Sequence, residues 1–552
     1  MSSGAAVTAT GSRRWVGLFF ISLGVALIIV DSTIVNVAIP SIISDLGIDS
    51  TQAQWVQEIY TLIFASLLLM WGRLADQWGR RRLFVIGVLV FMVASLLAAR
   101  SADGNLLILA RALQGVGGAM MLPTSLSLLN AGFRGRDRGI AFGIWGATIG
   151  GTAALGPLLG GWLTTSFSWR WAFGINLPLG VAVVIGLLLL VPESKDDDAD
   201  RGLDWIGALL SAVGFGGVVF GLIEGRNLGW WRAKDDLSFF GAGWPWRISP
   251  VVVAFVLGVA ALAVFVAFER GRNRRHRVAM LDLSLFGIRS FRNGNIAAAI
   301  VSLGEFGIIF ALPLWFQNVA GYSAFQTGLA LLPLAAGSFV ASGLGAALGQ
   351  RRGAIFVVRV GILLELVGVA GLGIFIRPDS TWLTTSPLLF VYGIGVGFAT
   401  AQLTGVVLAD VPLARSGQGS GTQSTARQVG SALGIAILGT VLFASLGSRL
   451  DDTLTGFAQL GAEQRTALVA AVKDSAGSII PSLNADPRTA PIGAAAETAF
   501  SDATRYSALT AAAFLLIGLL ASRSLGSGRA KSIKGEASPD GYGVGAISRS
   551  EE

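Results

Sequence analysis

Apolar segments of about 20 residues, long enough to cross a bilayer as a helix, recur along nearly the whole chain. Fourteen such segments can be read from the sequence, near 15–38, 52–71, 83–100, 104–128, 139–163, 171–191, 203–224, 249–268, 292–316, 326–348, 355–376, 385–409, 422–447 and 505–523. In lipid, helices of this length satisfy every backbone polar group internally. The chain is therefore predicted to be an all-α membrane protein with fourteen transmembrane helices.

Composition excludes several classes of function. Hydrophobic residues make up 53% of the chain and charged residues only 13%, whereas soluble domains carry about 25% charged residues. There is no cysteine, and His276 is the one histidine, so disulfide frameworks, thiolate metal sites and most histidine chemistry are excluded. The chain also lacks the Gly-rich G-x-x-x-x-G-K-[ST] loop of ATP-driven proteins. We expect no metal, no cofactor and no enzymatic activity.

The basic residues follow the predicted topology. With the N-terminus in the cytoplasm, the inner segments, both termini and the adjoining span ends hold 28 of the 41 Lys and Arg residues, and the short outer loops with their span ends hold seven. This asymmetry is the positive-inside pattern. It explains the net charge of +8 without a nucleic-acid partner. We expect cytoplasmic termini at residues 1–14 and 524–552, the latter disordered, and a long extracellular loop at 448–505.

An internal repeat divides the chain into two halves. "GRLADQWGRRR" matches "AALGQRRG" at an offset of 274 residues, and "TAALG" matches "GSALG" at an offset of 278. Internal repeats of this kind are common in transporters. The predicted organisation is an N-terminal six-helix bundle at 15–191, two inserted helices within 203–268, and a C-terminal six-helix bundle at 292–523.

Six short motifs carry a resemblance to a known family. They are "VDSTIVNVAIP" (30–40), "GRLADQWGRRR" (72–82), "RALQGVGGA" (111–119), "GTAALGPLLGG" (151–161), "WRWAFGINLPLG" (169–180) and "RQVGSALG" (427–434). Together they resemble the major facilitator superfamily and its fourteen-span drug:proton antiporters of the QacA/EmrB type. The resemblance implies the major facilitator fold, a multi-pass protein of the cell membrane, a monomer, and export of small lipophilic substrates by alternating access.

Two of these motifs predict conformational gating. In the first, Gly72 and Gly79 permit a tight turn, and Asp76 can lie at a helix N-terminus or pair with an arginine from a neighbouring helix; Arg80 is a further gating candidate. Such a charge pair would hold one conformation, whereas the alternative is plain topological anchoring by the arginines. The second motif supplies small residues for close helix packing and a proline that bends the helix. Its candidate residues are Gly156, Pro157, Gly160 and Gly161. Ordinary helix packing is the alternative there, and the link to antiport rests on the resemblance.

Three charged residues are predicted to lie at one depth in the membrane. Asp31, Glu58 and Arg111 each lie about seven residues from the outer end of their span, or ~10 Å below the surface at 1.5 Å per residue. A charge at such depth needs a partner or a wet cavity. Asp31 is the predicted proton-coupling acid, with Arg111 tuning it and Glu58 as a further candidate. The alternative is a structural Asp31–Arg111 pair.

A second group of residues is predicted to line a substrate cavity. Glu305 lies mid-span between glycines in the second half, with Glu365 as an alternative acid, and the other candidates are Trp71, Phe306 and Gln317. The predicted function is proton-coupled antiport that exports lipophilic, cationic drugs. A lipid, endogenous-metabolite or single-antibiotic exporter on the same fold is the alternative. A nutrient symporter and a membrane-embedded enzyme are disfavoured.

Overall fold

The computed structural model describes residues 11–48, 50–195, 204–234, 238–239, 242–275, 279–457 and 460–525. Almost all of these residues are helical. Within them, twelve helical segments are long and apolar enough to cross a membrane. The predicted spans 139–163 and 326–348 correspond to two further long helices, α5 and α11 below, which contain residues whose side chains are not described. Fourteen crossings therefore stays a prediction, and His276 with most of the tail lies outside the described residues.

The first half contains seven helices. They are α1 (Gly11–Leu46), α2 (Ser50–Trp78), α3 (Arg80–Ala99), α4 (Gly104–Gly132), α5 (Gly135–Ser166), α6 (Arg170–Gly174) and α7 (Asn176–Leu190). The α6 and α7 helices together form one span. The α4 helix begins where the Asp103 side chain accepts the Leu106 N–H, which satisfies one of the free donors of a helix N-terminus. Gly79, at φ 110°, makes the turn between α2 and α3, a conformation that glycine adopts without a steric penalty.

Two inserted helices follow, α8 (Trp205–Leu228) and α9 (Pro250–Arg274). A hairpin of two short strands, β1 (Ser238–Phe239) and β2 (Ala242–Gly243), lies between them. The two helices pack closely at Gly217, which has no side chain. A Cβ atom at this position would lie 2.7 Å from the Ala254 carbonyl oxygen. Small residues allow this backbone approach in membrane helices. The α8 helix also packs against α2 and against α14 of the second half.

The second half contains eight helices, of which six are long. They are α10 (Arg289–Asn318), α11 (Ala324–Arg352), α12 (Ala354–Phe375), α13 (Trp382–Val407), α14 (Ser416–Leu454), α15 (Ala462–Asp474), α16 (Ile480–Ala485) and α17 (Ala490–Ala521). Short 3-10 turns occur at Leu283–Gly287, Leu413–Arg415 and Ser522–Ser524. A reciprocal capping box between Ser323 and Gln326 starts α11. The α5 helix of the first half packs along α11.

The predicted loop at 448–505 is mostly helical, which corrects that expectation. The α14 helix continues to Leu454, α15 and α16 follow, and α17 already begins at Ala490. Alanine is frequent in this segment and has the highest helix propensity. The indole N–H of Trp315 also donates to the Ser501 hydroxyl at 3.0 Å, which fixes α17 against α10. The polar composition of this segment predicts that it is exposed, but it does not predict its backbone conformation.

The described ends of the chain lie at one side of the helix bundle, which we call the terminal side. Arg13 near the start of α1 donates to the carbonyl oxygen of Leu189 at the end of α7. Asn293 at the start of α10 donates to the carbonyl oxygen of Ser524. The loops α2–α3, α4–α5 and α13–α14 open on the same side. The two halves meet there through several polar contacts.

Candidate functional site: buried charges and a contact between the halves

Asp31 is the centre of a buried polar cluster in the first half. Its carboxylate is fully buried and forms an ion pair with Arg111. The side-chain amides of Gln114 and Asn176 each donate to the same carboxylate oxygen at 2.8 Å. Ser95 accepts from both amides, at 2.9 and 3.2 Å. Residues of α1, α3, α4 and α7 therefore converge around one carboxyl group, which accepts hydrogen bonds from a guanidinium and two amides.

Arg111 is enclosed as completely as its partner. Its Nε donates to the Val56 carbonyl oxygen of α2 at 3.0 Å, and its Nη1 donates to the Gln114 side chain at 2.8 Å. The guanidinium carbon lies 4.5 Å from the ring centroid of Tyr60, a cation–π distance. Because the guanidinium bonds to α1, α2 and α4, a change of charge at Asp31 would be transmitted to three helices.

Glu58 lies apart from this pair, although sequence position placed it at the same depth. It accepts a hydrogen bond from Gln54 at 3.1 Å, and Gln54 also reaches Glu224 of α8 at 3.5 Å. Trp55 stacks on Phe220 of α8 beside it. Glu58 therefore belongs to the contact between α2 and the inserted helices. Depth along a helix groups the three residues, but the direction in which each side chain points depends on the tertiary packing.

The small residues of α5 bring this helix against α1 beside Asp31. A Cβ atom on Gly156 would lie 1.7 Å from the Thr33 hydroxyl oxygen, and one on Gly160 would lie 2.8 Å from the Ile34 side chain. Gly161 faces Phe325 of α11 instead, at 3.6 Å. Pro157 lies in α5, but its side chain is outside the described part of the chain. Two of these residues thus set the α1–α5 distance, and one lies between the halves.

Substituting Gly156 by alanine is expected to destabilise the protein by about 1–3 kcal/mol, the usual cost of overpacking. The added methyl group would overlap the β-branched Thr33 side chain and approach the Val30 carbonyl oxygen at 3.2 Å. Gly151→Ala in the same helix is the matched control, because nothing lies within 4 Å of its Cβ position. Thermal unfolding of the purified variants, followed by monodisperse elution, measures the difference. Equal midpoints for the two variants would contradict the close α1–α5 packing.

Glu305 and Arg427 form a second buried ion pair, in the second half. The distance between Glu305 Oε2 and Arg427 Nη2 is 3.3 Å, and the Thr400 hydroxyl donates to the other carboxylate oxygen at 3.2 Å. The Tyr392 hydroxyl donates to the Glu305 backbone carbonyl at 2.9 Å. Residues of α10, α13 and α14 meet at this point.

The other predicted cavity residues are dispersed. Phe306 and Trp71 are half-buried, and the Trp71 indole N–H has no hydrogen-bond partner among the described atoms. Gln317 is exposed and lies one residue before the end of α10, at the side opposite to the terminal side. The structure therefore does not bring Gln317 to Glu305.

Asp76 connects the two halves at the terminal side. Its carboxylate accepts the backbone N–H groups of Gly417 and Gln418 at 2.7 and 2.9 Å, at the start of α14. Arg80 pairs with the same carboxylate at 2.8 Å and also donates to the Leu413 carbonyl oxygen at 2.5 Å. A carboxylate at a helix N-terminus is stabilised by the free N–H groups and by the helix dipole. We call these contacts the inter-half lock.

Two glycines of the same motif permit the close approach of the chain to its neighbours. A Cβ atom on Gly72 would lie 2.5 Å from the Gly417 carbonyl oxygen, so α2 and α14 touch through their backbones. A Cβ atom on Gly79 would meet the Glu193 carboxylate at 2.7 Å. That carboxylate accepts the backbone N–H groups of Arg81 and Arg82 at 3.0 Å each and so caps α3. Asp76 therefore bonds across the halves, while Arg81 and Arg82 stay on their own half.

Several residues of these sites were not predicted from the sequence. They are Ser95, Gln114, Asn176, Glu193, Thr400, Gly417 and Gln418. Gln114 and Asn176 lie inside motifs already singled out, so a polar amide in an apolar span was an available signal. Backbone donors such as the Gly417 N–H carry no side-chain signal at all. No cluster of metal-ligating residues occurs within the described ranges.

The sequence of the chain matches a known protein family. Residues 21–223 and 204–435 both match the sequence profile of the Major Facilitator Superfamily. The chain belongs to this superfamily. The first match covers the N-terminal part of the chain, and the second runs from the inserted helices to residue 435. The protein is thus an all-helical, multi-pass membrane transporter of the facilitator type.

Relatives of this facilitator are resistance and efflux proteins of bacteria. It is 36% identical over 452 residues to puromycin resistance protein pur8 of Streptomyces alboniger, covering 81% of this chain and 86% of the relative. It is 33% identical over 506 residues to multidrug resistance protein Stp of Mycobacterium tuberculosis, covering 90% and 89%. Multidrug efflux pump LfrA of Mycolicibacterium smegmatis is 33% identical over 446 residues, with 80% and 84% covered.

The fold of this facilitator also resembles a solved transporter. The crystal structure of the human organic anion transporter MFSD10 aligns with a TM-score of 0.59 at 12% identity, covering 93% of this chain and all of that one. At such identity the likeness concerns the fold alone. It supports the interpretation of the helix bundle as a major facilitator fold.

Proposed function

We propose that this facilitator is a proton-coupled antiporter that exports lipophilic, cationic compounds by alternating access. The observation that carries the proposal is the buried Asp31–Arg111 pair, which joins the helices of the first half through one titratable carboxylate. Relatives named as multidrug resistance and efflux proteins support the substrate class. A proton gradient can drive such a pump because protonation of Asp31 removes the charge that holds Arg111.

The coupling follows from electrostatics. With Asp31 ionised, the buried pair is neutral overall and its donors and acceptors are satisfied. A proton that binds Asp31 leaves the Arg111 charge uncompensated in a low-dielectric site, which costs several kcal/mol. The helices that converge on the pair must then rearrange or admit water. A proton and a cationic substrate that favour opposite conformations exchange across the membrane, as differential affinity requires.

The orientation is part of the proposal. The terminal side is cytoplasmic by the distribution of Lys and Arg, and the protein is a monomer in the cell membrane with fourteen crossings. In the conformation described, the inter-half lock joins the halves at this side. A site between the halves is then closed to the cytoplasm. Export requires that the lock opens to admit substrate and closes again before release.

Transport by purified protein in liposomes tests the function. We expect ethidium to be concentrated against its gradient when a pH gradient is imposed, and this movement to stop when nigericin dissipates the gradient. The membrane potential adds about 2.3 kcal/mol per charge per 100 mV, so valinomycin with potassium separates the electrical from the chemical term. Ethidium accumulation that is unaffected by nigericin would contradict proton coupling. Absence of ethidium movement in every condition would contradict the polyspecific substrate range.

A single-antibiotic exporter is the second candidate. Some relatives bear the names of one compound: puromycin resistance protein pur8, a probable actinorhodin transporter of Streptomyces coelicolor, and a methylenomycin A resistance protein of Bacillus subtilis. The same proton-driven assay distinguishes the two candidates. A single-substrate exporter would show gradient-dependent binding or movement of one of these compounds and none of ethidium.

A further inference from the structure

Glu365 is a buried acid without a hydrogen-bond partner in the described part of the chain. It lies midway along α12 and is fully buried. Both of its carboxyl oxygens lack a hydrogen-bond partner among the described atoms. An ionised carboxylate in apolar surroundings with no donor is the most costly form of such a side chain, whereas a protonated carboxyl is neutral. The surroundings of Glu365 therefore fit the protonated acid.

The charged groups around Glu365 also favour its protonated form. Glu305 of α10 and Arg427 of α14 interact with it electrostatically, and the Tyr392 ring of α13 lies beside both acids. In the described part of α17 the charged group that bonds to α12 is Arg505, which reaches the Gly373 carbonyl oxygen at 3.3 Å, eight residues along the helix. Two carboxyl groups thus share one guanidinium. The cluster is neutral only if it holds one further positive charge.

The internal repeat shows that this excess acid is particular to the second half. Asp31 and Glu305 are 274 residues apart, the offset of the repeated loop motif, so they occupy equivalent positions. Each is buried and paired with an arginine. Around Asp31 the remaining donors are neutral amides. Around Glu305 a second acid is present instead. The buried charges around Asp31 therefore sum to zero without a bound proton, whereas those around Glu305 and Glu365 do not.

We propose that Glu365 is a proton-binding site of the second half, which holds a proton while Glu305 engages Arg427. A metal cation does not fit the same place, because such ions require several oxygen ligands and no polar group of the described residues forms a hydrogen bond with the Glu365 oxygens. Arg427, with 12% of its side chain exposed, is the open edge of the cluster. When water or a cationic substrate reaches this edge, the proton leaves the Glu365 carboxyl for water and the cation replaces its charge. Only this exchange rests on the proposed function; proton binding does not.

Infrared difference spectroscopy of the reconstituted protein tests the site without transport. As pH is raised, we expect the carbonyl band of a protonated carboxyl group to disappear, and the difference between wild-type and Glu365→Gln spectra to contain this band, because the bands of other acids such as Asp31 and Glu58 cancel in that difference. Glu463→Gln is the matched control, because Glu463 is exposed on α15. Glu305→Gln is expected to shift the band and not to remove it. The absence of a titrating band from the difference between wild-type and Glu365→Gln spectra, or a Glu365 band displaced by Na⁺, would each overturn the proposal.

Transport separates this site from the proposed function. We expect Glu365→Gln, which mimics the protonated acid, to fold and bind ethidium but to move one proton fewer per substrate. The ratio is obtained from the membrane potential at which net transport reverses. If wild-type protein ignores the pH gradient but shows the Glu365 band, the antiport proposal fails and the proton site stands. If wild-type transport is proton-driven and Glu365→Gln has an unchanged ratio, the site fails.

Discussion

Asp31→Asn is expected to abolish ethidium accumulation driven by a pH gradient. The substitution keeps the shape of the side chain but removes the charge opposite Arg111, which stays fully buried. Breaking a buried pair from one side costs about 3–5 kcal/mol, and a side chain that no longer ionises cannot respond to the gradient. Measuring initial rates of uphill transport in liposomes gives the result. We expect this rate to fall by at least about 100-fold, which corresponds to roughly 2.8 kcal/mol at 1.4 kcal/mol per tenfold change.

Counterflow separates coupling from structural damage at Asp31. Exchange of labelled for unlabelled ethidium without a gradient requires binding and alternation but no net proton movement. We expect Asp31→Asn to retain counterflow, whereas a purely structural pair would lose both activities. Asp45→Asn is the control, because Asp45 lies near the C-terminal end of α1. Hydrogen bonds from Arg170 and Trp169 lower the pKa of the Asp45 carboxyl there. Full uphill transport by Asp31→Asn would exclude Asp31 as the coupling acid.

Asp76→Asn is expected to shift the protein toward a conformation open at the terminal side. The asparagine oxygen can accept one of the two α14 backbone N–H groups, so one charge-assisted hydrogen bond and the Arg80 ion pair are lost. Hydrogen bonds to charged groups contribute about 1.5–3 kcal/mol each. The loss of the one backbone hydrogen bond should therefore change the population ratio of the two conformations by about 10- to 100-fold, and the loss of the ion pair adds to this. Uphill transport should fall because re-closure becomes unfavourable.

Spin-label distances across the halves measure this change. The chain contains no cysteine, so pairs can be introduced at exposed Arg136 and Ala409 without background. We expect longer distances in Asp76→Asn than in the parent pair. Asp137→Asn is the matched control, because Asp137 pairs with Arg14 within the first half. An unchanged distance distribution in Asp76→Asn would show that the inter-half lock does not set the conformational equilibrium.

The two ion pairs and the lock suggest a division of tasks between the halves. The Asp31 pair draws together helices of the first half, and the Glu305 pair does so in the second. The inter-half lock connects the end of α2 to the start of α14. In this scheme protonation acts inside a half, and the contact between the halves decides which face is open.

The candidate site was predictable where a charge in an apolar span demanded a partner. Asp31 and Arg111 were grouped by depth, and the structure brings them together. The same depth argument grouped Glu58 with them, yet Glu58 faces the inserted helix α8. Residues at one depth on different helices can point in any direction around the helix axis. Depth therefore selects candidates, and only packing decides which of them meet.

The sequence by itself determined the membrane class, the helical spans, the two-half organisation and the absence of cysteine or nucleotide-loop chemistry, because hydropathy, repeats and residue types are local properties. Tertiary structure alone decided that Asp76 caps α14 of the other half, and that the Glu365 carboxyl group has no hydrogen-bond partner among the described atoms. These features depend on which helix faces lie together and on backbone donors. Neither the rotation of a helix about its axis nor the position of a free backbone N–H group can be read from the amino-acid sequence.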